Sequence, residues 1–334
     1  MPRVIVTGYG GFLGQSICRQ LLVAGHTVRG LARNAYPSMR QIGVESIVGD
    51  ACTLEDCRNA IQNIDVVIHT AAIAGVWGKR STFESVNVQA TENLLLAAQE
   101  NSVQAFVHCS SPSVTFDGQS QAGIDESVPY PTRWLCDYPR TKAMAEQRVL
   151  AANQPGKFLT CALRPHLIWG EGDPHLIPRL IHKCKSKRLR CVGDGKNLID
   201  TVHVESAAHA HILAMHALLD GKEQASGRAY FITDGDPIEC WQWISLLLKH
   251  AGLTPPSRQI SKTAAYRIGY LLELIFWAFQ VSREPPMTRF IAAQLGVDHY
   301  FSIEAARKHL GYNPSVDRQE TLALMSPWLR KLAE

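Results

Sequence analysis

Tyr138 and Lys142 stand four residues apart in Tyr138-Pro-Arg-Thr-Lys142, one turn along the same face of a helix. A free tyrosine gives up its proton near pH ~10. A lysine ammonium beside it favours the phenolate and brings it toward working pH. Such a pair can pass a proton to or from an oxygen while a hydride moves to or from the attached carbon. Ser110-Ser-Pro-Ser-Val114 offers hydroxyls to hold that oxygen. Ser111 is the candidate, with Ser110 and Ser113 as competitors.

Hydride chemistry needs a carrier. Gly8, Gly11 and Gly14 are spaced three apart in Thr7-Gly-Tyr-Gly-Gly-Phe-Leu-Gly14. They follow an apolar strand and open a helix, the setting in which a glycine loop binds a dinucleotide. The first glycine permits the turn, the second lets the backbone approach the pyrophosphate, and the third lets the helix lie close. No acidic residue occurs between Gly14 and Glu45, so the usual carboxylate for an adenosine ribose is missing. The second strand ends instead in Leu31-Ala-Arg-Asn34. Arg33 is placed to pair with a 2′-phosphate, which points to NADP, with NAD as the lesser choice. Asp50 is expected at the adenine end.

These residues need a scaffold. Short apolar runs at Val4–Thr7, Thr27–Leu31, Ser46–Val48, Val66–His69, Phe106–Cys109 and Cys161–Arg164 read as strands. Phe12–Ala24, Thr53–Gln62, Ser85–Glu100 and Tyr138–Asn153 read as helices between them. The alternation predicts an α/β fold, a doubly wound parallel sheet, over residues 1–165. Segments near 198–204 and 229–233 are expected to return to it. Residues 166–334 are expected to form a smaller, mainly helical substrate lobe.

The 334 residues carry a net charge of +4, with 46% hydrophobic and 19% charged residues. No Lys/Arg cluster or basic aromatic stripe is read here, so nucleic acid is not an expected partner. Nine cysteines without a CxxC pair suit a reduced cytoplasm; Cys18, Cys109 and Cys161 read as core. No export signal is expected. His203, His209, His211 and His216 match no zinc spacing, and no metal is expected. No Gly-x-Ser-x-Gly elbow supports a hydrolase. His166 could approach a substrate carboxylate, but a satisfied structural histidine is the preferred reading. Ala264–Val281 is strongly apolar, yet Arg267 and Glu273 interrupt it, leaving it short of a spanning helix. It is read as a buried or lid helix over the substrate entrance, with part of its face free for peripheral membrane contact or a homodimer.

The glycine loop, His69-Thr-Ala-Ala72, Ser110-Ser111 and the Tyr138/Lys142 pair together resemble the extended short-chain dehydrogenase/reductase family. That resemblance implies a seven-stranded Rossmann core and catalytic Ser111, Tyr138 and Lys142. Asn87 resembles the family's structural and proton-relay asparagine. Ser110–Phe116, Arg164–Gly170 with Gly172-Asp-Pro174, Gly195–Leu198 and Gly311–Pro314 resemble the 3β-hydroxysteroid dehydrogenase branch. Its sterol-4α-carboxylate 3-dehydrogenase (decarboxylating) and bacterial 2-alkyl-3-oxoalkanoate reductase subgroups are the most similar. The implied substrate is a bulky apolar sterol or 2-alkyl-3-oxo acid, reacting at its 3-hydroxy/3-oxo carbon. The expected cofactor contacts are Gly8, Tyr9, Gly11, Phe12, Leu13, Gly14, Arg33, Asp50, Ala71, Ala72, Tyr138, Lys142 and Pro165. Two other functions fit the same scaffold: a nucleotide-sugar epimerase or dehydratase, and a non-catalytic NADP sensor.

Overall fold

The computed structural model describes all 334 residues. Seven parallel strands form the central sheet: β1 (Arg3–Thr7), β2 (Thr27–Ala32), β3 (Glu45–Val48), β4 (Val66–His69), β5 (Ala105–Cys109), β6 (Leu159–Pro165) and β7 (Arg228–Ile232). Their order is β7-β6-β5-β4-β1-β2-β3. The order reverses between β1 and β4. This opens a crevice at the carboxyl edge, where such sheets bind ligands.

Both faces of the sheet are covered, which explains its near-continuous apolar strands. Ile17 and Leu21 of α1 (Phe12–Val23) pack on one face with Ala207, Ala210 and Leu218 of a later helix, Val204–Leu219. On the other face lie Ala60 and Ile61 of α2 (Leu54–Ile61), Leu94 and Ala98 of α3 (Ala90–Glu100) and Val149 of α4 (Asp137–Ala151). A third core belongs to the C-terminal lobe. It joins α5 (Leu176–Lys185), α7 (Cys240–His250) and α10 (Arg318–Ala333) through Ile177, Trp243, Leu247, Leu322 and Leu329.

Of the two segments expected to rejoin the sheet, only the second does, as β7. The first breaks into two short strands. Leu198–Ile199 joins a small sheet with Ile238–Glu239, His299–Phe301 and Gln121–Ile124, and Val202–His203 pairs with Ile168–Trp169. The break falls at Asp200, whose buried carboxylate accepts from Phe301 N at 2.7 Å. The helix Val204–Leu219, here α6, packs on the main sheet rather than in the lobe. A cut at residue 165 therefore does not separate the two layers.

Most of the apolar stretch 264–281 lies in α8 (Lys262–Ala278), a helix as expected; of the two readings of it, buried or lid, the buried one is corrected. Only Ala265 and Gly269 of α8 are buried. Gly269 lies where a Cβ would stand 2.6 Å from the Thr288 backbone, so the helix crosses that turn closely. Glu273 then clamps the start of α9 (Arg289–Gln294), accepting from Arg289 N and Nε at 2.6 Å each. Leu271, Leu274, Ile275, Trp277 and Phe279 remain exposed. No helix is long and apolar enough to cross a membrane.

Candidate active site

The glycine loop turns where it must. Gly8 has φ +69°, and a Cβ there would meet Ala71 N at 2.9 Å. A Cβ on Gly14 would stand 2.3 Å from the Gly8 carbonyl, so α1 can start against the loop only with glycine there. Gly11 is the N-cap of α1; no side chain caps it, and no acidic residue lies in the first turn. The helix thus presents unpaired N–H groups and its positive dipole end to the crevice. That arrangement fits a dinucleotide pyrophosphate.

The crevice is a cleft of about 450 Å³. Gly8, Gly11, Phe12, Leu13, Gly14, Ala72, Ser111, Tyr138, Lys142 and Pro165 line it, as do Ser110 and Ser113. Other expected contacts lie elsewhere. Tyr9 is fully buried in the core, its hydroxyl bonded to Ser46 Oγ, so its side chain cannot reach a cofactor. Ala71 backs Gly8 and bonds Thr7 Oγ1 through its N–H. Arg33 follows β2, exposed and without an ion-pair partner. Asp50 is half-buried and accepts from Cys52 N at 3.0 Å.

Tyr138, Lys142 and Glu146 lie on successive turns of α4 and share one face. Glu146 is fully buried and pairs with Arg164 of β6 at 2.6 Å. Tyr130 also donates to it, at 2.6 Å. The pair locks α4 to the sheet and sets the height of the two residues above it. Lys142 Nζ donates to the Cys109 carbonyl at 2.6 Å and lies 3.2 Å from His108 Nε2. Burial pulls its ammonium below the usual lysine range. Burial pushes the Tyr138 phenol up to about 12, while the Ser111 hydroxyl facing it draws it down. The Lys142 ammonium itself is turned toward β5, where its contacts to the Cys109 carbonyl and His108 Nε2 both lie. Ser110 is buried, its hydroxyl unpartnered, which leaves Ser111 as the serine beside the phenol. Ser111 Oγ also bonds Ser113 Oγ at 2.9 Å.

Asn87 does not touch the reacting groups. It sits in a π-helical turn, Glu84–Gln89, of the kind that re-aims a side chain. Its Oδ1 accepts from Ile73 N at 2.9 Å, and its Nδ2 donates to Thr141 Oγ1 at 3.0 Å. It ties the loop after β4 to α4, a positioning role. Cys109 is partly buried, packed against the main core as expected and also bordering the cleft, its thiol pushed up to about 11 by burial. The reading that no basic cluster exists is also corrected. Lys183, Lys185, Lys187, Arg188 and Arg190 fall within one short run. Lys183, Arg188 and Arg190 share a separate groove of about 610 Å³ with Arg283, Ile268 and Leu272.

A model of the 3-beta hydroxysteroid dehydrogenase/isomerase family matches residues 5–262. The chain belongs to that family. It is 40% identical to a 2-alkyl-3-oxoalkanoate reductase of Shewanella oneidensis, over 96% of this chain and 84% of that protein. It is 42% identical to the protein of the same name from Stenotrophomonas maltophilia, over 96% and 97%. Among solved structures, MoeE5 in complex with UDP-glucose and NAD matches with a TM-score of 0.74 and 25% identity, over 99% of this chain and 100% of that one. Within this dehydrogenase fold, the residue that sequence reasoning missed is His108, and it did not give the neighbouring His69, named above only within a motif, its structural part. Both are buried strand residues. His69 bonds Thr7 Oγ1 at 2.7 Å and Thr91 Oγ1 at 3.0 Å. A polar residue amid an apolar strand was the available signal.

Proposed function

We propose that this enzyme transfers a hydride between NADP(H) and the 3-hydroxy/3-oxo carbon of a bulky apolar substrate, a 2-alkyl-3-oxo acid first and a sterol second. The observation that carries the reading is the convergence of Ser111, Tyr138 and Lys142 on a cleft floored by the uncapped start of α1. The two reductases at 40% and 42% identity support the substrate class. A bound nicotinamide dinucleotide supplies or accepts the hydride. Gly8, Gly11 and Gly14 would hold its pyrophosphate, and Arg33 its 2′-phosphate. Ser111 orients the substrate oxygen. Tyr138, protonated at neutral pH, gives that oxygen a proton in reduction and takes it back in oxidation. Lys142 holds positive charge beneath the site and is within the helix turn that carries Tyr138.

The test follows NADPH consumption with a 2-alkyl-3-oxo acid and a 3-oxo sterol, and product formation from a UDP-sugar, which consumes no NADPH. Consumption with the first substrates supports the reading. Turnover of the nucleotide sugar alone overturns it in favour of an epimerase or dehydratase.

The exposed apolar side of α8 supports a peripheral membrane contact. The neighbouring Lys183, Arg188, Arg190 and Arg283 add charge that suits an anionic lipid surface. Co-sedimentation with anionic vesicles tests this. A homodimer formed without vesicle binding assigns the face to a second subunit instead.

A further inference from the structure

His166 lines the cleft between Pro165 and Leu167, yet only 7% of its surface is exposed. Two hydrogen bonds behind it fix where its proton lies. His299 Nε2 is 2.6 Å from the Gln294 carbonyl oxygen. A carbonyl only accepts, so that nitrogen carries a proton. Burial holds the His299 imidazole down to about 4, so the ring is neutral and its Nδ1 is an acceptor. His166 Nε2 lies 2.7 Å from that Nδ1 and must donate to it. Burial first, and His299 second, push His166 well below the ordinary histidine range. Its own Nδ1 is therefore a bare lone pair.

No protein atom bonds this Nδ1, and it is not among the sealed polar atoms that lack partners. It opens on the cleft. The ring cannot readily turn away, because His299 stands perpendicular to it at 4.8 Å and Phe301 edge-on at 5.1 Å. The one carboxylate that lines the cleft, Asp173, is already engaged: it takes His175 N, Leu176 N and Ile177 N. The hydroxyls of Ser111 and Tyr138 can rotate to donate or accept. His166 cannot.

We propose that His166 Nδ1 is an acceptor-only recognition group, which takes an N–H or O–H of a ligand bound in the cleft. A hydroxyl, a carboxamide or a protonated acid finds a partner there. A carbonyl or carboxylate at the same place meets a lone pair. Two sources supply such a donor: the carboxamide of a nicotinamide, or a hydroxyl of the substrate. This inference rests on the hydride-transfer reading above.

The test uses the full-length enzyme with His166→Phe, which keeps a ring and removes the acceptor, and His166→Asn, which keeps a donor and an acceptor. Folding is checked by thermal unfolding. NADPH affinity is read by fluorescence, beside the 3-acetylpyridine analogue that lacks the amide N–H. Leaving a buried donor unpaired costs about 5- to 100-fold. If the carboxamide is the source, His166→Phe weakens NADPH by that factor and leaves the analogue unchanged. If the substrate is the source, cofactor affinities hold while kcat/KM falls. Recovery by His166→Asn supports either case. A folded His166→Phe enzyme with both quantities within about two-fold of wild type overturns the inference. Should that variant fail to fold, His166→Leu gives the same readout. A wild-type protein that binds no NADPH fails the hydride-transfer reading instead.

Discussion

The Lys142 ammonium has the neutral imidazole of His108 as one of its two acceptors, at 3.2 Å. Burial, then the Lys142 charge, then His69 and His211, hold His108 well below its usual range, so its Nε2 is free to accept. A lysine buried this deeply keeps its charge only if its protons are received. Hydrogen bonds to charged groups contribute about 1.5–3 kcal/mol. His108→Phe should therefore lower turnover about tenfold or more, and His108→Gln, which still offers an acceptor, should recover part of it. Steady-state kinetics of the two variants checks this. Equal turnover in wild type and His108→Phe counts against a role for the contact.

Tyr138→Phe removes the proton carrier and little else. General acid–base help is worth about 10²–10⁴-fold, and the variant should lose that factor while binding cofactor normally. The pH dependence has a definite sign. With the phenol pushed up to about 12, the protonated form prevails at every pH below that. Carbonyl reduction, which needs the acid, should stay level from pH 6 to 9 as far as this residue governs it. Alcohol oxidation, which needs the phenolate, should rise across the same range. Oxidation that falls with pH would remove Tyr138 from the role.

The features legible in the sequence are local ones, and those that were not depend on contacts distant along the chain. The strands, the glycine loop and the Tyr138–Lys142 spacing are local patterns, with periods of two and about 3.6 residues, and each lies where the pattern put it. The second expected return strand is β7, but Asp200 interrupts the first, and a contact to Phe301 from 101 residues away leaves no local trace. Tyr9 sits inside the loop in sequence, yet its ring turns into the core beneath Gly30. Asn87 was placed by resemblance; its partners Ile73 and Thr141 come from two other elements. α8 carries the apolar spacing of a buried helix, and nothing in that spacing tells a core from an uncovered face.

Arg33 itself yields a prediction on the cofactor. It is exposed, unpaired and follows the last residue of β2, which the Gly8 loop touches through Gly8 N and the Leu31 carbonyl at 3.0 Å. A charge-assisted contact to a 2′-phosphate should contribute about 1.5–3 kcal/mol. Arg33→Ala should raise the Kd for NADPH about tenfold or more and leave NADH unchanged. Equal affinities of the wild-type enzyme for the two cofactors would defeat the assignment.

Asp200 makes stability depend on pH. Its carboxyl is 1% exposed, and burial pushes it up to about 7 against the two hydrogen bonds that favour its charge. One of its oxygens has no partner at all. An unfolded aspartate titrates near ~3.9, so the folded state binds the proton more tightly. The stability this provides is complete below the unfolded value. It declines as pH rises toward 7 and is absent above it, a span worth up to about 4 kcal/mol. Asp200→Asn mimics the protonated form and can still accept from Phe301 N. Its stability relative to wild type should therefore be near zero at pH 4 and favourable at pH 8. Urea unfolding of both proteins at the two pH values measures the difference, and a variant no more stable than wild type at pH 8 would show that Asp200 is charged at little cost.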